Sequence, residues 1–452
     1  MQIKPVLIGT LDKLDDDFMI TTKYVRDHIQ EIRASLQKRR SEYPIDELLK
    51  LDEQWRAAKT ELQEMQTKRN RLSMEVAKLK KEGKEAKAQI NEVADMKDRM
   101  QELDKSIDAA QKKIESLLLN MPNVLHESVP YGASDENNVE IRRWGDATKR
   151  IDKGHEEILG SMGLIDIERA AKISGARFYF LKGDIALLEQ ALISFGLDEL
   201  VKKGYTPIAP PLMMKREYYK GATALGDFEE QLYKVTDPAD VNDIGDYERM
   251  EEDLYMISTA EHPMAAMHAG EVFSAKELPL KYVGISPAFR REAGSHGKDT
   301  KGIFRVHQFY KLEQFIFSKP EDSWKHYDEL LGNSEYLVQK LGIPYHVIDI
   351  CTGDIGVVAA KKNDIEAYLP GQGKYREIVS CSNCTDWQSL RLDIKYDENG
   401  ERKYVHTLNS TAIAISRMIV AIAENYYNGD GTITVPKVLV PYMHKDVIGS
   451  KR

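Results

Sequence analysis

The stretch FRREAGSHGKDTKGIFRVHQFYKLEQF, residues 289–315, places charged and aromatic side chains on both sides of a loop rich in glycine and lysine. If the first part is a strand, Arg290 and Glu292 point to one face and Arg291 to the other. A guanidinium suits bidentate contact with a phosphate, and a carboxylate can accept a hydrogen bond from an adenine amino group. The pattern therefore favours a site that handles a nucleotide.

The second part of this stretch is predicted to form the return strand. Arg305, Phe309 and Glu313 are spaced by four residues and are expected to share a face. Phe309 offers a platform on which a base could stack, and Glu313 offers a counter-charge for an ammonium group. A surface hairpin with cross-strand salt bridges has the same pattern, so the residues alone leave both interpretations open.

The sequence contains neither GxxxxGK[ST] nor a GxGxxG that follows a strand, the two common phosphate-binding motifs. A nucleotide bound here would have to be held by side chains. Outside this region, the sequence predicts an α+β domain, because short β-rich runs at 232–235, 254–258, 280–286, 304–317 and 345–351 alternate with helical stretches. Two of the helical stretches are 184–204 and 411–429, and Asn399-Gly400 predicts a hairpin turn.

The first third of the chain has heptad periodicity. Apolar residues step by four and three from Leu51 to Leu79 and again from Ala86 to Leu117, with Arg69 and Gln89 as the polar exceptions. Gly83 lies in the short connection, so the two helices are expected to form an antiparallel coiled-coil arm. We predict a helical domain over residues 1–120, with the arm at about 45–118, and a second domain over residues 121–452.

The composition places limits on the function. The chain has 452 residues, of which 42% are hydrophobic and 30% charged, a net charge of −9 and three cysteines. A disulfide framework is not expected, and the N-terminal residues are not typical of a signal peptide. The most apolar run, AIAISRMIVAIA, contains Arg417, so no membrane-spanning segment is predicted and the expected location is cytoplasmic.

Several motifs together resemble one family. The 289–315 stretch resembles the second signature motif of class II aminoacyl-tRNA synthetases, and GYTPIAPPLM (204–213) resembles the first, at the dimer interface. STAEHP (258–263), YREIVSCSN (375–383) and LNSTAIAISRMIVAIAENY (408–426) resemble elements of the seryl-tRNA synthetases in particular. The long arm resembles that family's tRNA-binding appendage. The sequence of residues 294–309 is more similar to archaeal and eukaryotic members of the family than to bacterial ones.

The resemblance implies a fold with an antiparallel-sheet catalytic domain, and it implies roles for individual residues. Catalysis would involve Arg290, Glu377 and Arg417. ATP would be bound by Arg290, Arg291, Glu292, Arg305, Val306, Phe309, Glu377, Ile378, Val379, Ser380 and Arg417. Serine would be bound by Thr259, Ala260, Glu261, Arg290, Glu313, Asn409 and Thr411, and Mg²⁺ would be held with ATP by Glu377 and Ser380. Contacts to tRNA would come from Arg69, Arg71, Lys78, Lys80, Lys81, Lys84, Lys298 and Lys301.

Some features depart from the family pattern or have a second interpretation. Thr411 stands in Ser410-Thr411-Ala412, where many members have a Gly-Ser-Gly turn, so its extra methyl group bears on the size of the pocket. His262 is expected to pack or to form a local hydrogen bond. Cys381 and Cys384 form a CxxC without a second Cys or His pair, so structural zinc is not expected. The basic residues near the arm's turn are also typical of a solvated coiled-coil surface.

The resemblance implies that the protein uses ATP and Mg²⁺ to form seryl-adenylate from L-serine, and then transfers the seryl group to tRNA(Ser), with tRNA(Sec) as an open second substrate. It further implies a homodimer in which the arm crosses to the other subunit. Two other functions stay open: a paralogue that activates a small amino acid for a carrier protein, and a non-catalytic interaction protein that keeps the fold.

Overall fold

The structure is a computed structural model that describes residues 22–236, 253–293 and 301–449. The chain divides into two compact units, of which one is Ile20–Pro122 and the other includes Asn123–Arg452. No helix in the described part of the chain is both long enough and apolar enough to cross a membrane.

The first unit is helical and contains the predicted arm. Its helices are α1 (Thr22–Asp27), α2 (Ile29–Arg39), α3 (Ile45–Lys81) and α4 (Lys87–Leu119). With 37 residues, α3 is about 55 Å long at 1.5 Å per residue. The chain reverses at Gly83, whose φ of +69° favours glycine.

The heptad residues hold α3 and α4 together. Leu72 of α3 packs with Met96 and Met100 of α4 in a small buried cluster. Ion pairs flank this seam, since Arg99 Nε lies 2.9 Å from Glu61 Oε1 and Lys68 Nζ lies 2.6 Å from Glu92 Oε1. The predicted antiparallel coiled-coil arm is confirmed.

The second unit contains one large sheet and several sheets of two or three strands. The strands are β1 (Val139–Trp144), β2 (Ile165–Asp166), β3 (Phe180–Leu181), β4 (Thr206–Ile208), β5 (Met213–Lys215), β6 (Lys234–Val235), β7 (Leu254–Met256), β8 (Val272–Ser274), β9 (Leu280–Phe289), β10 (Gln308–Ser318), β11 (Tyr345–Asp349), β12 (Lys361–Leu369), β13 (Lys374–Asn383), β14 (Lys395–Glu398), β15 (Glu401–Tyr404), β16 (His406–Ala414), β17 (Ile433–Thr434) and β18 (Val447–Ile448). The large sheet has the order β1-β11-β12-β13-β16-β10-β9-β4. It is antiparallel except where β4 pairs with β9, so the predicted α+β fold with an antiparallel sheet is confirmed.

The described residues of the second unit also form helices. They are α5 (His155–Ser161), α6 (Ile167–Ser174), α7 (Asp184–Lys202), α8 (Arg216–Ala222), α9 (Leu225–Phe228), α10 (Glu261–Ala266), α11 (Ser323–Lys340), α12 (Trp387–Leu392), α13 (Ile415–Asn425) and α14 (Val440–Met443). The helices α7, α11 and α13 pack on the central strands β10 and β16 and enclose the main hydrophobic core. Because these strands are covered, their side chains are almost all buried.

Two boundaries differ from the prediction, and two strands are additional to it. Residues 411–414 belong to β16 and not to a helix, because they pair with β10, and α13 begins only at Ile415. The outgoing strand β9 ends at Phe289 and the return strand β10 begins at Gln308, so the strand prediction for 304–307 is wrong. The long strands β12 and β13 were not predicted.

Two β-bulges lie in the centre of the sheet. Ile378 is the extra residue where β13 pairs with β12, since Val379 pairs with Ile365 and Glu377 with Glu366. Ala412 is the extra residue in β16, opposite Leu312 and Glu313 of β10. A bulge changes which side chains share a face of the sheet, and both bulges occur in strands that border the cleft described next.

Candidate active site

A cleft of about 600 Å³ opens over the central strands of the second unit. On β10, the alternating residues Phe309, Lys311 and Glu313 point into it. On β13, Glu377 and Ser380 both line the cleft although three positions separate them, which a regular strand would not allow. The bulge at Ile378 therefore brings these two side chains to one face.

The cleft brings together many of the residues that the sequence predicted to act as a site. Those lining it are Thr259, Glu261, Arg290, Phe309, Glu313, Glu377, Ile378, Ser380, Asn409, Thr411 and Arg417. These residues come from β9, β10, β13, β16 and the first turns of α10 and α13 or the segments beside them. The sheet thus gathers residues that are up to 158 positions apart in the sequence, from Thr259 to Arg417.

Other predicted residues lie elsewhere. The side chains of Ala260, Val306 and Val379 are buried in the hydrophobic cores, and Arg291 is exposed, with its backbone N–H donating to Gln231 O. Lys301 is exposed, and Lys298 lies outside the described residues. The predicted tRNA contacts at Arg69, Arg71, Lys78, Lys80, Lys81 and Lys84 are exposed on the arm, so Arg69 is a surface residue.

Glu292 and Arg305 form a salt bridge, with 2.6 Å between Arg305 Nη1 and Glu292 Oε2. Glu292 has a φ of +49° and follows the end of β9, so it does not share a strand face with Arg290 as predicted. Arg305 precedes β10 and likewise does not share a strand with Phe309 and Glu313. Glu292 and Arg305 thus lie between β9 and β10 and are joined by this salt bridge.

Cations converge on one part of the cleft. The guanidinium of Arg290 lies over Phe309, 5.3 Å from the ring centroid, and its Nε donates to Ser258 O at 3.3 Å. Burial lowers the pKa of Arg290, and the positive charge of Arg417 lowers it further. Two arginines that repel each other beside a cleft are stabilised by an anion, which makes this part suitable for phosphates.

Glu377 compensates part of this positive charge. Its Oε1 lies 3.1 Å from Arg417 Nη1, which also donates to the Glu377 carbonyl oxygen at 2.9 Å. Desolvation would raise the pKa of Glu377, but the positive charges of Arg417, Lys362 and Arg290 outweigh it and lower the pKa. The side chain is 46% exposed to the cleft, so water weakens these attractions. Glu377 is therefore an accessible carboxylate.

Carboxylates line the part of the cleft next to these cations. Glu313 is 1% exposed and its Oε2 lies 2.5 Å from Lys311 Nζ, which also donates to Thr259 Oγ1 at 3.3 Å. Burial raises the pKa of Glu313, while Lys311 opposes this rise. This part of the cleft can pair with a small cation such as an ammonium group.

Glu261 is the second carboxylate of this part. Its Oε1 accepts hydrogen bonds from Gln388 Nε2 and Asn409 Nδ2, both at 3.1 Å. Burial raises the pKa of Glu261 to about 7, and the nearby Glu313 contributes to the rise. Glu261 therefore changes charge near neutral pH, which the sequence could not indicate.

The sequence interpretation missed Lys311, Lys362, Gln388 and the buried Asp364. The sequence does indicate the position of Lys311, because this residue alternates with Phe309 and Glu313 on one strand. Lys362 and Asp364 lie on β12, which was not recognised as a strand, and burial raises the pKa of Asp364. Gln388 comes from a separate helix and had no such signal.

His262 and the cysteines are buried side chains. Burial lowers the pKa of His262 to about 3, and its ring packs edgewise on Tyr219. Cys381 and Cys384 are buried thiols whose pKa values are raised by burial. Within the described ranges, no group of three or more His, Cys, Asp or Glu side chains is arranged to hold a metal ion.

Comparisons with known proteins agree with this fold. Residues 19–125 match the seryl-tRNA synthetase N-terminal domain, and residues 233–426 match the tRNA synthetase class II core domain (G, H, P, S and T). The serine–tRNA ligase of Methanocella arvoryzae is 47% identical over 94% of this chain and 99% of its own length, and that of Pyrococcus horikoshii is 46% identical over 94% and 96%.

Solved structures agree as well. Seryl-tRNA synthetase from Pyrococcus horikoshii, complexed with ATP, matches with a TM-score of 0.87 and 45% identity over 95% of this chain and 99% of that one. The cytoplasmic serine–tRNA ligase from Naegleria fowleri, in complex with AMP, matches with a TM-score of 0.82 and 37% identity over 96% and 99%. The carrier-protein alternative receives no support from these relatives. The chain belongs to the seryl-tRNA synthetase family of class II aminoacyl-tRNA synthetases.

Proposed function

We propose that this protein is a serine–tRNA ligase that activates L-serine with ATP and transfers the seryl group to tRNA(Ser). One observation carries the proposal: a single cleft places Arg290 and Arg417 next to Glu261 and Glu313. A nucleoside triphosphate needs the cations, and the ammonium group of an amino acid needs a carboxylate. The two substrates can thus be held side by side.

In the first step, a carboxylate oxygen of serine attacks the α-phosphorus of ATP. A new P–O bond gives seryl-adenylate, and the bond between the α-phosphorus and its bridging oxygen breaks to release pyrophosphate. Arg290 would stabilise the charge on the α-phosphate and Arg417 would hold the γ-phosphate, while Phe309 would stack on the adenine. Attack in line depends on this positioning and needs no covalent enzyme intermediate.

In the second step, the ribose hydroxyl at the tRNA 3′ end attacks the carbonyl carbon of seryl-adenylate. The ester bond forms, AMP leaves with the electrons of the broken C–O bond, and the hydroxyl proton passes to water or to the departing phosphate. The cleft's cations would stabilise the departing phosphate. We assign no single general base to this step.

Residues of the cleft also fit the Mg²⁺ that would accompany ATP. Glu377 is an accessible carboxylate, and Ser380 lies on the same face of β13. Magnesium usually takes only one or two carboxylates from a protein and completes its shell with phosphates and water. When bound, the ion would neutralise charge on the phosphates, and Glu377 and Ser380 would hold it.

The serine pocket would be formed around Glu313, Thr411 and Thr259. Thr411 pairs with Glu313 across β16 and β10, so both face the same small space. A pocket that hydrogen-bonds the serine hydroxyl should discriminate against alanine by about 10⁴-fold, because the polar groups would be left without partners. The methyl group of Thr411 would restrict the room for threonine.

The pKa of Glu261 leads to a testable pH dependence. We expect Glu261 to contact the serine ammonium group as a carboxylate, and with a pKa of about 7 its ionised fraction falls about tenfold from pH 8 to pH 6. The KM for serine should rise by about the same factor over that range, and Glu261→Gln should raise KM and remove its pH dependence. A wild-type KM that is constant from pH 6 to pH 8 in pyrophosphate exchange would contradict this role.

The arm would bind tRNA through its basic residues near Gly83. Lys78, Lys80, Lys81 and Lys84 are exposed there and can neutralise backbone phosphates. Replacing all four by alanine should raise the KM for tRNA about tenfold or more and make it less sensitive to salt, with serine-dependent pyrophosphate exchange unchanged. Unchanged aminoacylation in this variant would leave the lysines as a solvated surface.

The experiment that tests the function is pyrophosphate exchange with a panel of amino acids, followed by charging of tRNA(Ser) and tRNA(Sec). Serine-dependent exchange together with charging supports a serine–tRNA ligase. Exchange with alanine or glycine without charging would support the carrier-protein alternative instead. A folded protein with no exchange would support a non-catalytic role.

We further propose a cytoplasmic homodimer in which the arm of one subunit binds the tRNA that the other subunit charges. Large apolar side chains are exposed on α7, where Leu187 and Val201 lie, and Met213 is exposed on β5. Contact with a second copy would remove them from water. Sedimentation velocity should show a dimer, and charging should be restored by mixing arm-deleted subunits with Arg290→Ala subunits.

A further inference from the structure

Phe304 contacts two arginine side chains. Its ring is 4% exposed, and the guanidinium carbon of Arg376 lies 4.4 Å from the ring centroid. The guanidinium carbon of Arg417 lies 5.0 Å from the same centroid. An aromatic face attracts a cation at these distances and favours an orientation in which the guanidinium stays near the ring.

His155 holds the backbone next to Phe304. The N–H of Ile303 donates to His155 Nε2 at 3.2 Å, and the ring is buried. A Cβ on Gly302 would lie 2.0 Å from His155 Nε2, so the close approach of backbone and imidazole requires glycine at position 302, where φ is +73°. Nε2 of His155 thus serves as a hydrogen-bond acceptor for the backbone.

Glu424 holds the other side of the imidazole. His155 Nδ1 lies 3.3 Å from Glu424 Oε1, and Glu424 Oε2 accepts from the Gly371 N–H at 2.8 Å. Glu424 is fully buried and lies on α13, about two turns after Arg417. The pair His155–Glu424 thus connects the helix that carries Arg417 with the backbone that carries the Phe304 ring.

We propose that Phe304, held in place by His155 and Glu424, is a positioning residue for Arg417 in the ATP-dependent reaction. The ring keeps the Arg417 guanidinium beside the cleft, while Glu377 on β13 pairs with the same guanidinium. The effect of Phe304 on ATP is therefore exerted through Arg417. This inference rests on the proposed role of Arg417 in holding the γ-phosphate.

The test compares Phe304→Leu, which removes the aromatic face, with Phe304→Tyr, which keeps it. Phe304→Leu should raise the KM for ATP in pyrophosphate exchange about tenfold with the KM for serine within about twofold, and Phe304→Tyr should stay close to the wild type. In an Arg417→Ala background, Phe304→Leu should have no further effect on the KM for ATP. His155→Leu should resemble Phe304→Leu, and His155→Gln, which keeps an acceptor, should be less affected.

Phe195→Leu is the matched structural control, because Phe195 is a buried aromatic residue of the same core on α7 and lies outside the cleft lining. It should lower the melting temperature without changing the KM for ATP. The proposal is overturned if Phe304→Leu behaves like this control, or if both KM values rise equally. If the wild type shows no exchange with serine, the proposed function fails. Calorimetric measurement of ATP binding by the wild type and by Phe304→Leu then tests the positioning role separately. Equal affinities for ATP, or no ATP binding by either protein, overturn the positioning role.

Discussion

Arg290→Ala is expected to lower kcat/KM for serine-dependent pyrophosphate exchange by about 10²–10³-fold. The side chain is held over Phe309 and by Ser258 O, so it is positioned before any substrate binds. A group placed where negative charge develops stabilises the transition state more than the ground state. The loss should therefore occur mainly in kcat.

Two variants make this result specific. Arg290→Lys keeps a positive charge but not the planar fork, and we expect it to recover only part of the rate. Arg169→Ala removes an exposed arginine that pairs with Asp166 and is not among the residues lining the cleft, and it should have the wild-type rate. A loss of kcat that is accompanied by a matching fall in melting temperature, or an Arg290→Ala rate near that of the wild type, would contradict the assigned role.

Shortening the arm is expected to lower aminoacylation of tRNA(Ser) by at least about 10²-fold and to leave pyrophosphate exchange unchanged. The structure suggests how to shorten it. Glu61 on α3 and Arg99 on α4 form two hydrogen bonds of 2.9 and 3.1 Å, so residues 62–98 can be replaced by a short Gly-Ser linker between them. The residues lining the cleft all belong to the second unit and remain intact.

A control for this experiment replaces residues 62–98 by a heptad sequence of equal length that keeps the apolar seam but lacks the lysines near Gly83. If both variants lose charging equally, the basic residues carry the effect. If the shortened protein charges tRNA like the wild type, the arm is not the tRNA-binding element. If exchange is lost as well, the deletion has damaged the catalytic unit.

Much of the arm could be predicted from the sequence because the heptad pattern repeats over many turns. Along β10, alternation predicts that Phe309 and Glu313 share a face. Lys311 lies between them at the same spacing of two residues and shares that face. The end of β16 was mistaken for helix, since its apolar residues are continuous with α13 and only the pairing with β10 distinguishes them.

Other parts of the site depend on pairing that no local pattern records. The conformation of Glu292 follows from its positive φ and its salt bridge with Arg305. The raised pKa of Glu261 follows from burial beside Glu313, which lies on a different element. The family resemblance supplied the assignments that periodicity could not, and the roles of individual residues stay predictions for the experiments above.

The bulge at Ile378 has a consequence for how the site tolerates changes in chain length. Glu377 and Ser380 share a face only because one residue of β13 is unpaired. Deleting Ile378 would keep both Glu377 and Ser380 in the sequence, yet it is expected to turn Glu377 toward the opposite side of the sheet. Substitution scanning at Ile378 would miss this dependence, because it preserves the residue count between Glu377 and Ser380. The positions of Glu377 and Ser380 in the cleft are therefore encoded by spacing as well as by residue identity.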